Sequence, residues 1–295
     1  MTRARVAAHT AKMLLATVRN PPWTSPGHFY SPQTTAADVE RALLQGPVTD
    51  LVDIRTFAQD ELLAQLAPMW SEFVGGPRWH GRADNTQYGL ADGAVYASML
   101  RTFKPRRVIE IGSGYSSAIA LDTRQRFGMN VQLTFIEPFT ERLDALLTAE
   151  DRASAVIRRE FVQDTPLSVL DALEPGDMLF IDSTHVLKAG SDVEHLLFRV
   201  LPRLPIGVLV HIHDCFWPWQ YPEEWLRQRR DWNELYYVHA FLIGNRDWEV
   251  VLFDDWVWQE RRPVVEKHLP AAAGQRPGGL WLRRVSSQPA DLPGR

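Results

Sequence analysis

Acidic and imidazole side chains gather after two apolar runs in the second half of the sequence. The stretch "FIDSTH" contains Asp182 and His185, and the stretch "VHIHDCFW" contains His213 and Asp214. Two carboxylates with one or two imidazoles can bind a divalent metal. Oxygen-rich sets suit Mg²⁺ or Mn²⁺, and nitrogen-rich sets suit iron or zinc. The residue types therefore make Asp182, His213 and Asp214 candidate metal ligands.

The same residues also have a purely structural interpretation. An aspartate that follows a strand can hold a cofactor amine or only the local backbone. Alternation along "VLVHIHD" places His211 and His213 on one face of a strand, and histidines of a buried strand are often simply hydrogen-bonded. The sequence therefore leaves a metal site and a structural role open for this cluster.

A second group of residues forms a glycine-bearing turn, "RVIEIGSGYSSAIAL", after another apolar run. Glycine after a strand lets backbone amides approach a ligand, and the next helix adds donors and the positive end of its dipole. Ser116 stands where a dinucleotide-binding turn has its third glycine. Glu137 ends the following run, "LTFIE", where an acid can accept hydrogen bonds from both hydroxyls of a ribose. Its plainer interpretation is an acid that stabilises the helix beginning at "PFTERL".

The elements that must position these residues alternate between strands and helices. Four buried strands are predicted at "RVIEIG", "QLTFIEP", "DMLFID" and "GVLVHIHD", with helices at "SSAIALDTRQRF", "FTERLDALLTAE" and "SDVEHLLFRVLPRL" between them. This order predicts an α/β fold with a doubly wound, mostly parallel sheet, whose ligands bind at the carboxyl ends of the strands. We also predict a helix at "NELYYVHAFLIGN" and strands at "DWEVVLFDD" and "GGLWLRRV", the last of them antiparallel.

The N-terminal part predicts a helical lead-in that is separate from the sheet. Residues 1–20 have an amphipathic pattern, residues 20–32 are rich in proline, and two further helices follow. We therefore predict a helical extension over residues 1–84, the ligand-binding domain over residues 85–285 and a disordered tail over residues 286–295. The extension suggests an element that forms a homodimer.

Composition limits the possible partners and the compartment. The chain has 295 residues, 45% of them apolar, which is enough for a sizeable core. With 32 basic and 36 acidic residues, the net charge of -4 favours a small molecule over nucleic acid or an anionic membrane. The single cysteine, Cys215, excludes an intramolecular disulfide and fits a reducing compartment. The first 20 residues are too short and polar to cross a bilayer, so we predict a cytoplasmic protein without stable membrane insertion.

Over residues 85–285 the sequence resembles the class I S-adenosylmethionine (SAM)-dependent methyltransferases. The resemblance rests on the ordered set "VIEIGSGYSS", "LTFIEP", "FVQD", "DMLFIDSTH" and "GVLVHIHD". It implies a Rossmann-like methyltransferase fold with SAM as the cofactor, and Ser116 agrees with this family because no pyrophosphate has to fit. The positions that match the family's cofactor-binding residues are Glu110, Gly112, Gly114 and Ser116 at the methionine moiety, Glu137 at the ribose and Asp164 at the adenine. Tyr88 is a further candidate for the wall of the cofactor pocket.

The acid-x-x-His pattern, with a second acid after the fifth strand, is similar to metal-dependent small-molecule O-methyltransferases, particularly those that act on sugars of natural products. This resemblance implies that Asp182 and Asp214 help to bind Mg²⁺ and that His185 takes the proton from the substrate hydroxyl. Some relatives place Glu or Asn beside the second acid, whereas His213 and Cys215 flank it here.

The loop "CFWPWQYPEEW" directly follows the fifth predicted strand and supplies candidates for a substrate wall. These are Trp217, Trp219 and Tyr221. Their alternative role is packing against the helical extension.

Together these features predict a SAM-dependent methyltransferase that moves a methyl group to a hydroxyl of a small molecule, assisted by a divalent metal. Asp182 and His185 are the candidate catalytic residues. A non-haem iron oxygenase on the same fold is one alternative, because the cluster mixes histidine with carboxylate. A binding protein that keeps the fold without turnover is another.

Overall fold

A computed structural model describes residues 18–19, 21, 23–25, 27–73, 76, 78–79, 85 and 87–286. The predicted helix at the N-terminus and nearly all of the predicted tail lie outside these residues. The chain divides into two compact units, one of Met1–Gly46 with Glu223–Asp231 and one of Pro47–Pro222 with Trp232–Arg295. The residue boundaries predicted for the extension, the ligand-binding domain and the tail stay predictions.

The strands and helices have the following bounds. The strands are β1 (Arg107–Ile111), β2 (Gln132–Ile136), β3 (Val156–Arg158), β4 (Met178–Ile181), β5 (Leu209–His213), β6 (Trp248–Phe253) and β7 (Gly279–Arg284). The described α-helices are α1 (Ala36–Gln45), α2 (Thr56–Trp70), α3 (Leu90–Phe103), α4 (Tyr115–Arg126), α5 (Glu141–Leu146), α6 (Ala149–Ser154), α7 (Leu167–Leu170), α8 (Asp192–His195), α9 (Glu223–Arg227), α10 (Glu234–Leu242), α11 (Asp254–Glu260) and α12 (Arg262–His268).

The larger unit contains one seven-stranded sheet with the order β3-β2-β1-β4-β5-β7-β6. Strands β1 to β5 pair in parallel, and β7 lies antiparallel between β5 and β6. The predicted α/β class, with a doubly wound and mostly parallel sheet, is confirmed, as is the antiparallel last strand. Because β1, β4 and β5 are neighbours, the residues that follow them meet at one edge of the sheet.

Two predicted helices are interrupted, and one strand was missed. The segment "SDVEHLLFRVLPRL" begins as α8 and continues as a π-helical stretch and a 3₁₀ turn that contains Pro202. The segment "FTERLDALLTAE" divides into α5 and α6, because Thr148 caps a new helix by accepting a hydrogen bond from the backbone N–H of Asp151. Strand β3 has only three residues, none of them buried, so its apolar pattern is too short to recognise.

The helices before the sheet belong partly to the larger unit. The indole N–H of Trp70, at the end of α2, donates to the Ser98 hydroxyl of α3 at 3.2 Å, and its ring lies 5.1 Å from that of Trp258. In the smaller unit, Thr35 and Asp38 form a capping box at the start of α1, and Glu40 pairs with Arg227 of α9 at 2.5 Å. Among the described residues, none of the helices has the length and apolar character needed to cross a bilayer.

Candidate active site

A cavity of about 320 Å³ opens at the carboxyl ends of β1, β4 and β5. This is the edge at which ligands bind in doubly wound sheets. Its wall brings together residues from the glycine-bearing turn, the loop after β4, the end of β5 and the start of α10. They are Gln87, Tyr88, Gly112, Ser113, Gly114, Tyr115, Ser116, Glu137, Arg142, Asp182, Ser183, Thr184, His185, His213, Asp214 and Trp232.

The glycine-bearing turn lies directly against the loop that follows β4. Gly112 has a φ of +82°, and a Cβ atom at this position would lie 1.7 Å from the main-chain oxygen of Asp182. The backbone N–H of Asp182 donates to the carbonyl of Ile111 at 2.9 Å. Only glycine permits this approach, and the approach places Asp182 beside the turn that the sequence predicts for the cofactor.

Glu110 lies behind the cavity wall. It is fully buried, and its Oε1 accepts hydrogen bonds from the hydroxyls of Ser116 at 2.8 Å and Ser117 at 2.5 Å. Burial raises the pKa of the Glu110 carboxyl to about 8, although both serine hydroxyls act in the opposite direction. Ser116 lines the cavity and Glu110 does not, so the predicted contact of Glu110 with a cofactor stays a prediction.

The remaining predicted cofactor residues lie at different distances from the cavity. Glu137 and Tyr88 line it. Burial raises the pKa of Glu137, which accepts a hydrogen bond from the backbone N–H of Phe139 at 2.7 Å. The Tyr88 ring lies 5.1 Å from the ring of His213. Asp164 is exposed, in a 3₁₀ turn that does not line the cavity, so its predicted place beside an adenine stays a prediction.

The carboxylates of Asp182 and Asp214 converge on the imidazole of His185. The His185 Nε2 atom lies 3.3 Å from Asp182 Oδ1 and 3.4 Å from Asp214 Oδ2. One ligand atom from each of these three residues lies within 4.8 Å of the others, a spacing that suits a metal ion. His213 also lines the cavity, with Nε2 3.8 Å from Asp214 Oδ1. The residue types predict His213 as the metal ligand beside Asp182 and Asp214. In the described structure, His185 is the histidine that groups with these two acids.

The charges of this cluster are strongly coupled. Burial alone lowers the pKa of His185, but hydrogen bonds to Asp182 and Glu234 and the charge of Asp214 raise it well above the ordinary value. Burial raises the pKa of Asp182, but the charges of His213 and His185 outweigh burial and lower it. For Asp214 burial dominates and the pKa is raised. The carboxylates of this cluster therefore carry more negative charge than its imidazoles neutralise.

Both His185 and Asp214 have left-handed backbone conformations, with φ of 60° and 53°. Such conformations cost about 1–3 kcal/mol each and persist where neighbouring contacts hold them. The His185 carbonyl accepts hydrogen bonds from the backbone N–H groups of Asn233 and Glu234, and the N–H of Asp214 donates to Gly278 at 2.6 Å. The fold therefore holds both residues in strained positions that point toward one cavity.

Two residues at the start of α10 belong to the site and were missed. Glu234 lies 2.9 Å from His185 Nδ1 through its Oε2, and the Trp232 ring lies 4.3 Å from the His185 ring. They follow His185 by nearly fifty residues, and no spacing rule connects the two segments. The one available signal is the order of polar and aromatic residues in "DWNELYY", just before a predicted helix.

The aromatic loop after β5 packs away from the cavity. Trp219 stacks on His239 with ring centres 4.6 Å apart, and the Tyr221 hydroxyl accepts a hydrogen bond from Leu235 at 3.1 Å. The backbone N–H of Trp217 donates to Asp255 at 2.9 Å. None of these three residues is among those that line the cavity. Their proposed contact with substrate stays a prediction, and Trp232 is the tryptophan that the cavity wall contains.

The sequence of the site matches a known family. Residues 109–215, which include the glycine-bearing turn and both acids of the cluster, match the family model described as a methyltransferase domain. This segment of the chain therefore corresponds to a methyltransferase domain. A relative of this chain, an uncharacterized protein of Archaeoglobus fulgidus, is 26% identical over 167 residues, which cover 50% of this chain and 73% of that protein.

The solved structures that are similar to this chain include the following three. The O-methyltransferase TomG of Streptomyces achromogenes, in complex with SAM, is 17% identical and covers 81% of this chain and 93% of its own, with a TM-score of 0.44. The SAH-bound methyltransferase PaMTH1 of Podospora anserina is 17% identical over 86% and 97% of the two chains, with a TM-score of 0.44. The apo-structure of CmcI is 19% identical over 68% and 73%, with a TM-score of 0.43.

Proposed function

We propose that this methyltransferase transfers the methyl group of SAM to a hydroxyl of a small molecule, with a divalent metal at Asp182 and Asp214. One observation carries the proposal. The glycine-bearing turn and the cluster of Asp182, His185 and Asp214 line the same cavity at the carboxyl edge of the sheet. A cofactor held by the turn would thus have acids and an imidazole beside its reacting end.

The cavity wall suits a cationic nucleoside cofactor. Gly112 and Gly114 line the cavity, and the half-buried carboxylate of Glu137 can accept hydrogen bonds from ribose hydroxyls. The carboxylates of Asp182 and Asp214, which also line the cavity, favour a positive charge within it. SAM supplies a methyl group that its sulfonium has already activated.

The cluster also fits a divalent metal. Two carboxylate oxygens and one imidazole nitrogen lie within reach of a single ion, and Glu234 adds a third carboxylate beside the same imidazole. Asp182 and Asp214 would hold the ion, with His213 as a neighbouring nitrogen. A divalent ion in such a site lowers the pKa of a bound hydroxyl.

His185 is the residue that we propose accepts the substrate proton. Its Nε2 faces the cavity between Asp182 and Asp214, and both carboxylates stabilise the imidazolium that forms when it takes the proton. Positive charge in the cavity would oppose the carboxylates of Asp182, Asp214 and Glu234, which raise the pKa of His185. The residue is thus suited to general-base work while a cationic cofactor is bound.

Trp232 and Tyr88 form the aromatic part of the wall. The Trp232 ring lies beside His185, so a flat or ring-shaped acceptor that packs on Trp232 would present a hydroxyl to Nε2. This arrangement supports a sugar or another cyclic metabolite as the acceptor. The balanced net charge of -4 is the argument against nucleic acid and membrane partners. A homodimer and a cytoplasmic location remain parts of the same proposal.

The first experiment compares calorimetric titration of the full chain with SAM and with NAD. We expect saturable binding of SAM and none of NAD. Methyl transfer is then measured by mass spectrometry, with SAM carrying a deuterated methyl group and a panel of sugars and phenols, in the presence of Mg²⁺ or of EDTA. The His185→Gln variant should keep SAM binding and lose transfer, whereas the His268→Gln variant, which changes a residue that does not line the cavity, should keep both.

Several outcomes would overturn the proposal. Binding of NAD in competition with SAM would assign the turn to another cofactor. Oxygen uptake with Fe²⁺ would favour the oxygenase, although iron oxygenases of the common type use two imidazoles and one carboxylate, and the described cluster has the reverse. SAM binding without any transfer across the panel, in wild type and variants alike, would favour a binding protein.

A further inference from the structure

Glu234 is a buried acid, and both oxygens of its carboxylate make hydrogen bonds to the segment that contains His185. Its side chain is 3% exposed, and Oε1 and Oε2 each accept a hydrogen bond from the Ser183 hydroxyl at 3.0 Å. Oε2 also lies 2.9 Å from His185 Nδ1. A carboxylate can only accept, so the proton of this hydrogen bond belongs to Nδ1.

The backbone around Glu234 holds the same segment from the outside. The N–H groups of Asn233 and Glu234 donate to the His185 carbonyl at 3.0 and 3.1 Å. The Asn233 side chain accepts from the N–H of Leu187 at 2.6 Å and donates to its carbonyl at 3.3 Å. The start of α10 and residues 183–187 are therefore fixed to each other by main-chain and side-chain contacts.

We propose that Glu234 is a positioning residue that sets the orientation of the His185 ring through the hydrogen bond to its Nδ1. It keeps a proton on Nδ1, which points away from the acids of the cavity, and thereby leaves Nε2 to face Asp182 and Asp214. The hydrogen bond made by one imidazole nitrogen decides which role the other can take. This inference rests on the proposed function, because it assumes that His185 Nε2 accepts the proton of the substrate hydroxyl.

The competing explanation is that Glu234 only ties α10 to the loop after β4 through Ser183. The two explanations differ in what they predict for the imidazole. A positioning residue controls the proton on Nδ1, whereas a structural tie affects stability and leaves that proton in place. The Glu234→Gln change separates them, because glutamine has the same shape and can still accept from Ser183 while it removes the charge that holds the Nδ1 proton.

Proton and nitrogen NMR of the full chain, labelled with ¹⁵N at its histidines, provides the direct test. Wild type should show a downfield proton on a histidine ring nitrogen that is protected from exchange with water. This signal should be missing in His185→Gln, which assigns it, and missing or strongly shifted in Glu234→Gln. The matched control, Glu223→Gln, changes the exposed first residue of α9 and should leave the signal in place. Ser183→Ala, which removes the other partner of the carboxylate, should keep the signal.

The same variants are compared for cofactor binding and transfer. Calorimetry should give a Kd for SAM in Glu234→Gln that is within about twofold of wild type. The rate of methyl transfer to any acceptor found in the panel should fall by about 10–100-fold. The Glu223→Gln control should change neither quantity.

A wild-type spectrum without the downfield signal overturns the assignment of Glu234, and so does a signal that persists in Glu234→Gln. If Glu234→Gln fails to fold, the comparison of wild type with His185→Gln still decides whether the Nδ1 proton exists, and its absence overturns the proposal. Absence of SAM binding or of methyl transfer in wild type would instead overturn the proposed function, and the NMR result would stand apart from it.

Discussion

The backbone of Gly112 lies in direct contact with the backbone of Asp182, with no room for a Cβ atom between them. This contact joins the turn after β1 to the loop after β4. It is therefore the point at which the part of the cavity proposed to bind the cofactor meets the acidic cluster. The consequences of disturbing it can be measured.

Replacing Gly112 with alanine should destabilise the fold and abolish SAM binding. The added methyl would collide with the Asp182 carbonyl, and the residue would remain at a φ of +82°. We expect a loss of roughly 2–4 kcal/mol in the free energy of unfolding, from strain together with the displaced backbone. Urea unfolding and calorimetry measure the two effects.

Gly128→Ala is the matched control for this change. Gly128 also has positive φ, of +58°, but a Cβ atom there meets nothing within 4 Å. We expect it to cost only about 1 kcal/mol and to leave SAM binding intact. Equal losses in the two variants would mean that the contact with Asp182 is unimportant.

Replacing Glu110 with glutamine should remove a pH-dependent contribution to stability. The folded-state pKa is about 8 against an ordinary value of 4.5, so the unfolded chain releases this proton first and wild type loses stability as pH rises from 4.5 to 8. Glutamine can accept from Ser116 and Ser117 without ionising. The variant should therefore match wild type near pH 5 and exceed it by roughly 2–5 kcal/mol near pH 8.

Urea unfolding at several pH values gives this comparison. Glu141→Gln, an exposed acid at the start of α5, serves as the control and should follow the wild-type curve at every pH. A constant difference between Glu110→Gln and wild type from pH 5 to 8 would contradict the prediction, since it would show that Glu110 is ionised throughout.

Replacing Asp182 with asparagine should weaken binding of a divalent ion. Mn²⁺ is a suitable probe, because its binding can be followed by electron paramagnetic resonance in the absence of any substrate. Loss of one of two carboxylate ligands should lower the affinity by at least about tenfold. Asp171→Asn, which lies on the surface and pairs with Arg203, is the control. Equal Mn²⁺ affinity in wild type and Asp182→Asn would exclude this cluster as the metal site.

Replacing Trp232 with alanine should raise KM for the acceptor while the Kd of SAM stays the same. Its ring lines the cavity beside His185, whereas Trp217 lies outside the cavity wall and makes contact with Asp255 through its backbone. Trp217→Ala should therefore lower stability and leave KM unchanged. If only Trp217→Ala raised KM, the substrate would contact the loop after β5 and not Trp232.

The regular part of this fold follows from local patterns in the chain. Short buried runs that alternate with amphipathic helices predict the parallel sheet, and the rules for right-handed crossovers place the ends of β4 and β5 side by side. Asp182, His185, His213 and Asp214 could be recognised because each lies within a few residues of a strand end. The order of glycine and acid after β1 and β2 is equally local, and it predicts the cavity that these residues line.

Contacts between distant segments were decided only by the tertiary structure. Nothing in the sequence near Glu234 or Trp232 shows that the start of α10 would pack on the loop after β4, because a side chain's partner across nearly fifty residues depends on how whole elements dock. For the same reason the aromatic loop after β5, which is next to the site in sequence, turns away and packs against α10, α11 and β6. The spacing of apolar residues shows which face of a helix or strand is buried. Only the tertiary structure determines which residues pack against that face.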